Sequence, residues 1–117
     1  MQDYEIIFYD KADGTEPAKE FLFSLDIKMR AKMVRTIELL GKNGPELREP
    51  YSKYLGENIF ELRAKQGSDI SRVMYFFVVG RRVILTNGFI KKTQKTPRAE
   101  LEKAIRYRSE FLDRRVD

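Results

Sequence analysis

The sequence predicts an α+β fold in which an antiparallel sheet carries its helices on one face. Between residues 58 and 91, three runs rich in aromatic and β-branched residues follow one another with very short connections, as in an antiparallel meander. Amphipathic patterns of the helical type lie before and after these runs. With one strand-like run near the start, the predicted order is β-α-α-β-β-β-α. The length fits one compact domain with one hydrophobic core, and a single domain spanning residues 1–117 is expected.

The first elements are a strand and a short helix. The alternating run YEIIFY at residues 4–9 predicts the strand, and the turn-like sequence KADG follows it. Thr15 is a favourable N-cap for the helix, Pro17 suits its first turn, and EFLF supplies an apolar side.

A second, longer helix is predicted from Asp26, which is a good N-cap, to about Lys42, where glycine, asparagine and proline form a stop signal. One side of this helix is apolar. The opposite side carries four basic residues, Lys28, Lys32, Arg35 and Lys42. We interpret that side as a solvated face, with a binding surface as the alternative. The residues that follow, 46–57, are predicted to form a loop.

The meander and a last helix follow. The three strands of the meander are predicted at residues 58–65, 70–79 and 82–91, joined by QGSD and GR. The last helix is predicted to run from Pro97 toward Arg115, with Thr96 as its cap.

The short connections also predict the register of the meander. A symmetric QGSD turn places Arg63 opposite Arg72 and Glu61 opposite Met74, and closure of the next hairpin at GR places Phe89 opposite Arg72 and Asn87 opposite Met74. Glu61, Arg63, Arg72, Phe89 and Lys91 then share one face, which is expected to be open. The other face is apolar and is expected to lie beneath the helices; it carries Phe60, Leu62, Ala64, Val73, Tyr75, Phe77, Ile84 and Thr86.

Positive charge is concentrated in one part of the chain. The formal net charge is +5, but residues 51–98 hold 10 basic and 3 acidic side chains, and KKTQKTPR at residues 91–98 has four cations and no acid. Such a local basic block is typical of a protein that binds a phosphate-rich partner, although an exposed basic turn that aids solubility is the alternative.

The sequence contains no cysteine and no histidine, which limits the catalytic groups and metal ligands that the protein can use. Without cysteine there is no disulfide framework or thiolate metal site, and without histidine the commonest general base and metal ligand are missing. No spaced ligand motif is present, so we expect neither a divalent metal nor a cofactor. No signal peptide or membrane span is indicated, and a cytoplasmic location is expected.

The predicted pair of facing arginines has two interpretations. Like charges directly opposite each other destabilise a sheet, so a purely structural role for Arg63 and Arg72 is awkward unless Glu61 neutralises them in an ion network. Alternatively, the two planar guanidinium groups hold a phosphate while Phe89 stacks on a base.

Several strings resemble a known toxin family. FELR, SRVMYFF and GFIKKTQKTP, followed by a helix with Glu100, Ala104 and Arg108, resemble the phage-derived subgroup of the RelE/ParE superfamily, close to the HigB toxins. The resemblance implies a RelE-like fold. It also implies metal-independent, ribosome-dependent cleavage of messenger RNA and neutralisation by a helix-turn-helix antitoxin.

In such cleavage a ribose 2′-OH attacks the neighbouring phosphorus and the bond from phosphorus to the 5′-oxygen breaks. The site needs a base that takes the proton of the hydroxyl, an acid that protonates the leaving 5′-oxygen and a cation for the developing charge. The candidate catalytic residues are Arg63, Arg72, Lys91, Lys92 and Lys95. The arginines would clamp the phosphate, Arg72 foremost, and the lysines would supply charge or transfer protons. The candidate RNA-binding residues are Lys53, Tyr54, Glu61, Phe89 and Arg98. Of these, Glu61 is also a possible base and Tyr54 a possible proton carrier.

Two other functions stay open at this point. ParE-type members of the superfamily poison DNA gyrase by binding it, and a phage accessory protein could use the basic patch to hold nucleic acid without cutting it. Some HigB toxins use histidine, which this chain lacks, so the acid and base cannot be assigned from the resemblance.

Overall fold

A computed structural model describes residues 3–91 and 95–114. Within these ranges the chain forms a five-stranded mixed sheet and three α-helices, which confirms the α+β class and is compatible with a RelE-like fold. The elements in chain order are β1 (Glu5–Phe8), α1 (Pro17–Ser24), α2 (Ile27–Asn43), β2 (Ser52–Gly56), β3 (Ile59–Gln66), β4 (Asp69–Val78), β5 (Arg82–Lys91) and α3 (Arg98–Asp113), with a 3₁₀ turn at Gly44–Glu46.

The segment predicted as a loop at residues 46–57 contains a strand, so that prediction is wrong in part. Strand β2 pairs antiparallel with β3, and Lys53 lies opposite Glu61. The turn between them is tight, with positive φ at Gly56, Glu57 and Asn58. Because SKYLG has no clear alternation, the strand depends on pairing with β3 rather than on its own sequence pattern.

The sheet is mixed rather than purely antiparallel. Its strand order is β1-β5-β4-β3-β2, and β1 runs parallel to β5. Helices α1 and α2 carry the chain from β1 to the far edge of the sheet, and the strand that pairs with β1 is the last strand in the chain, β5. This parallel pairing was not predicted.

The helix caps agree in part with the sequence signals. Asp26 caps α2 as predicted, and its Oδ1 accepts a hydrogen bond of 2.9 Å from Met29 N. The caps predicted at Thr15 and Thr96 are wrong, because Glu16 and Pro97 occupy the N-cap positions of α1 and α3 and neither makes a side-chain cap hydrogen bond.

The helices lie on both faces of the sheet, so the prediction of helices on one face is wrong for α3. One core packs α1 and α2 against Leu62, Val73 and Tyr75, and a second packs α3 against Ile59, Met74 and Phe76. The reason is visible in β4, where four consecutive residues, Val73, Met74, Tyr75 and Phe76, are all at most 1% exposed. A continuous apolar run of this kind indicates a strand that is covered on both sides.

A β-bulge divides the β4–β5 pairing into two halves. Near the site, Arg72 pairs with Phe89 as predicted, but nearer the turn Tyr75 pairs with Leu85, so the predicted pairing of Met74 with Asn87 is not formed. The extra residue reverses which side chains of β5 face each core. As a result Val83 and Leu85 face α1 and α2, whereas Ile84, predicted on that face, belongs to the α3 core.

Two buried tyrosine hydroxyls predict a loss of stability at alkaline pH. Burial raises the pKa of Tyr75 to about 12, and burial together with the hydrogen bond to Glu110 raises the pKa of Tyr9 to about 12. Both lie above the ordinary value of about 10, so between pH 10 and 12 the unfolded chain loses these protons first. The stabilisation is complete below pH 10 and is lost as the pH rises toward 12, by roughly 2–3 kcal/mol for Tyr75, and Tyr9 contributes in the same direction.

Urea unfolding at pH 9 and pH 11.5 measures this loss. Tyr75→Phe should lose less free energy of unfolding over the same interval than the wild type, by about 2 kcal/mol. An equal loss in both proteins would contradict the assignment to Tyr75.

Candidate functional site

Glu61, Arg63 and Arg72 form a compact group, called here the acid–arginine cluster, on the face of the sheet that carries α3. Arg63 Nε donates a 2.7 Å hydrogen bond to Glu61 Oε1, and Arg72 Nη1 lies 3.6 Å from Glu61 Oε2. The side chains of Glu61 and Arg72 are 0% exposed, whereas that of Arg63 is 14% exposed. Arg63 is therefore the most exposed member of the cluster.

The cluster confirms the predicted register. Arg63 lies directly opposite Arg72, and Arg72 lies opposite Phe89. Glu61 offsets the repulsion between the two guanidinium groups, since one of its oxygens faces each arginine. The ion network that the sequence offered as one interpretation is thus present, and it is buried rather than solvated, which makes it sensitive to the loss of any member.

Thr96 belongs to this cluster, although the sequence predicted it only as a helix cap. Its Oγ1 donates a 2.6 Å hydrogen bond to Glu61 Oε2. The segment before α3 therefore covers the carboxylate, and Asn87 holds the first turn of α3 by donating to the backbone and side chain of Glu100. No local sequence signal indicates the contact between Thr96 and Glu61, because it depends on the face to which α3 docks.

Arg72 is enclosed on all sides. Its guanidinium carbon lies 5.8 Å from the centroid of the Phe89 ring, a cation–π geometry. Burial lowers the pKa of Arg72, Glu61 opposes this shift and Arg63 adds to it, yet an arginine keeps its charge at any physiological pH. Since it is fully buried, Arg72 does not present a surface to a phosphate, and the face predicted to be open is closed at this point.

The candidate lysines lie at the margin of the cluster. Lys91 pairs with Ile70 at the end of β5, on the side of the sheet that carries Phe89, and it is exposed. Lys95, directly before Thr96, is exposed as well. Lys92 lies outside the described residues. Arg98 is at the start of α3, where its exposed Nε forms an ion pair of 3.0 Å with Glu102.

The two candidates on β2 are on opposite faces. Lys53 pairs with Glu61 and shares the face of the cluster. Tyr54 pairs with Phe60 on the face of α1 and α2, where their ring centroids are 4.9 Å apart and the Tyr54 hydroxyl accepts a hydrogen bond from Asn58 N. The structure therefore does not bring Tyr54 to the acid–arginine cluster.

A comparison with protein-family models identifies the family of this chain. Residues 20–109 match the model of the phage-derived Gp49-like protein family (DUF891). The chain belongs to this family. Gp49-like proteins are a RelE/ParE-type toxin family associated with toxin–antitoxin systems, which confirms the resemblance at that level and implies an antitoxin partner. The match runs from α1 to the last turns of α3 and so includes the whole cluster.

A search of curated proteins gave no match. Within residues 3–91 and 95–114, none of the helices is both long and apolar enough to span a bilayer.

Proposed function

We propose that this Gp49-like chain is a HigB-like toxin of a type II toxin–antitoxin system that cleaves messenger RNA on the ribosome and is neutralised by a helix-turn-helix antitoxin. The observation that supports it most directly is the acid–arginine cluster, in which a buried pair holds one partly exposed arginine, Arg63, at the edge of a lysine-bearing surface. The proposed site uses no histidine and no metal.

Arg63 is the proposed contact to the scissile phosphate. Its bond to Glu61 fixes the orientation of the guanidinium plane, and a planar guanidinium matches the geometry of phosphate oxygens. When the 2′-OH attacks, negative charge develops on the phosphorus-bound oxygens, and a cation already held in place stabilises that charge without reorganisation. Arg72 and Glu61 position Arg63 in this scheme and do not touch the RNA.

The lysines supply the remaining positive charge. Lys91 and Lys95 are exposed beside the cluster, and Lys92 lies between them in the sequence. We assign proton transfer and additional charge stabilisation to this group. Both oxygens of Glu61 already face hydrogen-bond donors, Arg63 on one side and Thr96 on the other, so Glu61 is assigned a positioning role rather than that of the base. A site with one partly exposed arginine orients RNA only weakly by itself. The ribosome would then orient the RNA for cleavage.

Primer extension on a reporter messenger RNA, after induced expression of the chain, tests the function. Discrete cuts are expected, and they should disappear when translation initiation is blocked. Growth arrest with DNA damage and intact messenger RNA would indicate a gyrase poison instead. Absence of arrest would indicate a binding protein that does not cut.

The same assay tests the lysines. Lys91→Ala/Lys95→Ala should reduce the amount of cut product about tenfold, because one or two exposed cations contribute a modest share of the transition-state stabilisation. The matched control is Lys28→Ala/Lys42→Ala, which removes the same charge from exposed positions on α2. Equal reduction in both double variants would show that only the total charge matters.

A further inference from the structure

A groove of about 610 Å³ lies between α2 and the second half of β3. Strand β2 begins at Ser52, opposite Leu62, and Arg63 N donates to Tyr51 O just before it, whereas β3 continues to Gln66. Across the groove, Lys32 Nζ on α2 donates a 3.1 Å hydrogen bond to Lys65 O on β3. The groove therefore follows the part of the β3 edge that β2 leaves uncovered.

The groove is strongly cationic. Among its described lining residues four are basic and one, Glu49, is acidic; the basic ones are Lys32, Arg35, Arg63 and Lys65. A concave surface with this imbalance attracts phosphate groups. Tyr51 also lines the groove and is 44% exposed, so its ring is available for stacking on a base.

Arg63 connects the groove with the acid–arginine cluster. It lines the groove and is also bonded to Glu61. Arg63 thus lies at the edge of the sheet, between the groove on the α2 face and the cluster on the α3 face, and a polymer that passes this edge with one phosphate at Arg63 would place its neighbouring nucleotide in the groove. The volume lies within the range of roughly 300–1,000 Å³ that is usual for small-molecule pockets.

We propose that this groove binds the single-stranded RNA next to the scissile phosphate, with Lys32 and Arg35 contacting phosphates and Tyr51 stacking on a base. The part of the basic side of α2 that carries Lys32 and Arg35 is then a binding surface, which is the less favoured of the two interpretations of its sequence. The identity of the RNA as messenger RNA rests on the proposed function, whereas the binding itself can be measured without cleavage.

The test measures how the affinity for a short fluorescent oligouridylate depends on salt. Lys32→Gln/Arg35→Gln is compared with Lys28→Gln/Lys42→Gln, which makes the same change in charge on the same helix outside the groove. Each phosphate contact to single-stranded nucleic acid contributes about 0.7 to the slope of log K against log salt. The groove variant should therefore lower the slope by about 1.4 and the affinity at about 0.1 M salt by about tenfold, while the control changes neither.

Tyr51→Ala separates stacking from charge. It should weaken binding about tenfold without altering the salt slope, because a stacked ring releases no counterions. Far-ultraviolet circular dichroism and a melting curve show that each variant is folded.

Cleavage in a translation extract provides the second readout. If the wild type cuts messenger RNA but the two glutamine variants bind the oligonucleotide with equal slopes, the groove proposal is wrong and the proposed function stands. If the slopes differ as expected but the wild type cuts nothing, the groove is an RNA site on a protein that does not cleave. Absence of measurable binding by the wild type would overturn the groove proposal.

Discussion

Glu61→Ala should lower the free energy of unfolding by about 3–5 kcal/mol, the cost typical of breaking a buried ion pair by removing one partner. Glu61 and Arg72 are both fully buried, and the variant removes the carboxylate that faces both Arg63 and Arg72, which lie opposite each other on β3 and β4. Thr96 also loses the acceptor of its hydrogen bond. Urea unfolding monitored by circular dichroism gives the change, provided that the slope with denaturant stays constant.

Two control variants test whether the loss of stability in Glu61→Ala comes from breaking the buried ion pair. Glu102→Ala removes a carboxylate from the exposed pair with Arg98 and should change stability by only about 0–1 kcal/mol. Glu61→Leu combined with Arg72→Met removes both buried charges and should recover most of the loss, since apolar side chains of similar volume replace buried ion pairs well. If the double variant were less stable than Glu61→Ala, the stability would depend on the shape of the site and not on the pairing of Glu61 with Arg72.

Arg63→Ala should reduce ribosome-dependent cleavage by about 10²–10³-fold, the usual effect of removing a preorganised group that stabilises transition-state charge. Its effect on folding should be smaller than that of Glu61→Ala, about 1–2 kcal/mol, because Arg63 is partly exposed and Glu61 keeps contacts to Arg72 and Thr96. The measurement is the rate of messenger RNA cleavage in a translation extract, with the amount of folded protein held equal.

Arg63→Lys tests whether the charge of Arg63 or the planar geometry of its guanidinium group matters for cleavage. A lysine keeps the charge but not the planar fork, so it should recover part of the activity and remain about tenfold below the wild type. Arg72→Ala is a poor substitute for these variants, because the burial of Arg72 makes loss of folding and loss of activity hard to separate. Full activity in Arg63→Ala would exclude Arg63 as the phosphate contact.

The sequence predicted the pairing that builds the candidate site. Arg63 opposite Arg72 and Phe89 opposite Arg72 both follow from short connections between strands, because a turn of known length sets the register of the strands that it joins. The prediction that Asp26 caps α2, which is confirmed, also rests on a local sequence signal. The same argument failed nearer the second turn, where the bulge opposite Met74 moved Ile84 to the other core.

The sequence by itself determined the α+β class, most of the element order, the register around the arginines and the family of the chain, since these depend on periodicity, turn length and short motifs. The tertiary structure decided the rest: that α3 covers the second face, that Thr96 reaches Glu61, that Arg72 is closed to solvent while Arg63 is not, and that the basic side of α2 meets β3 in a groove. The physical reason is that burial and contact between distant residues depend on which faces pack together. That choice is made by the summed apolar area of whole elements, and no short stretch of sequence contains it.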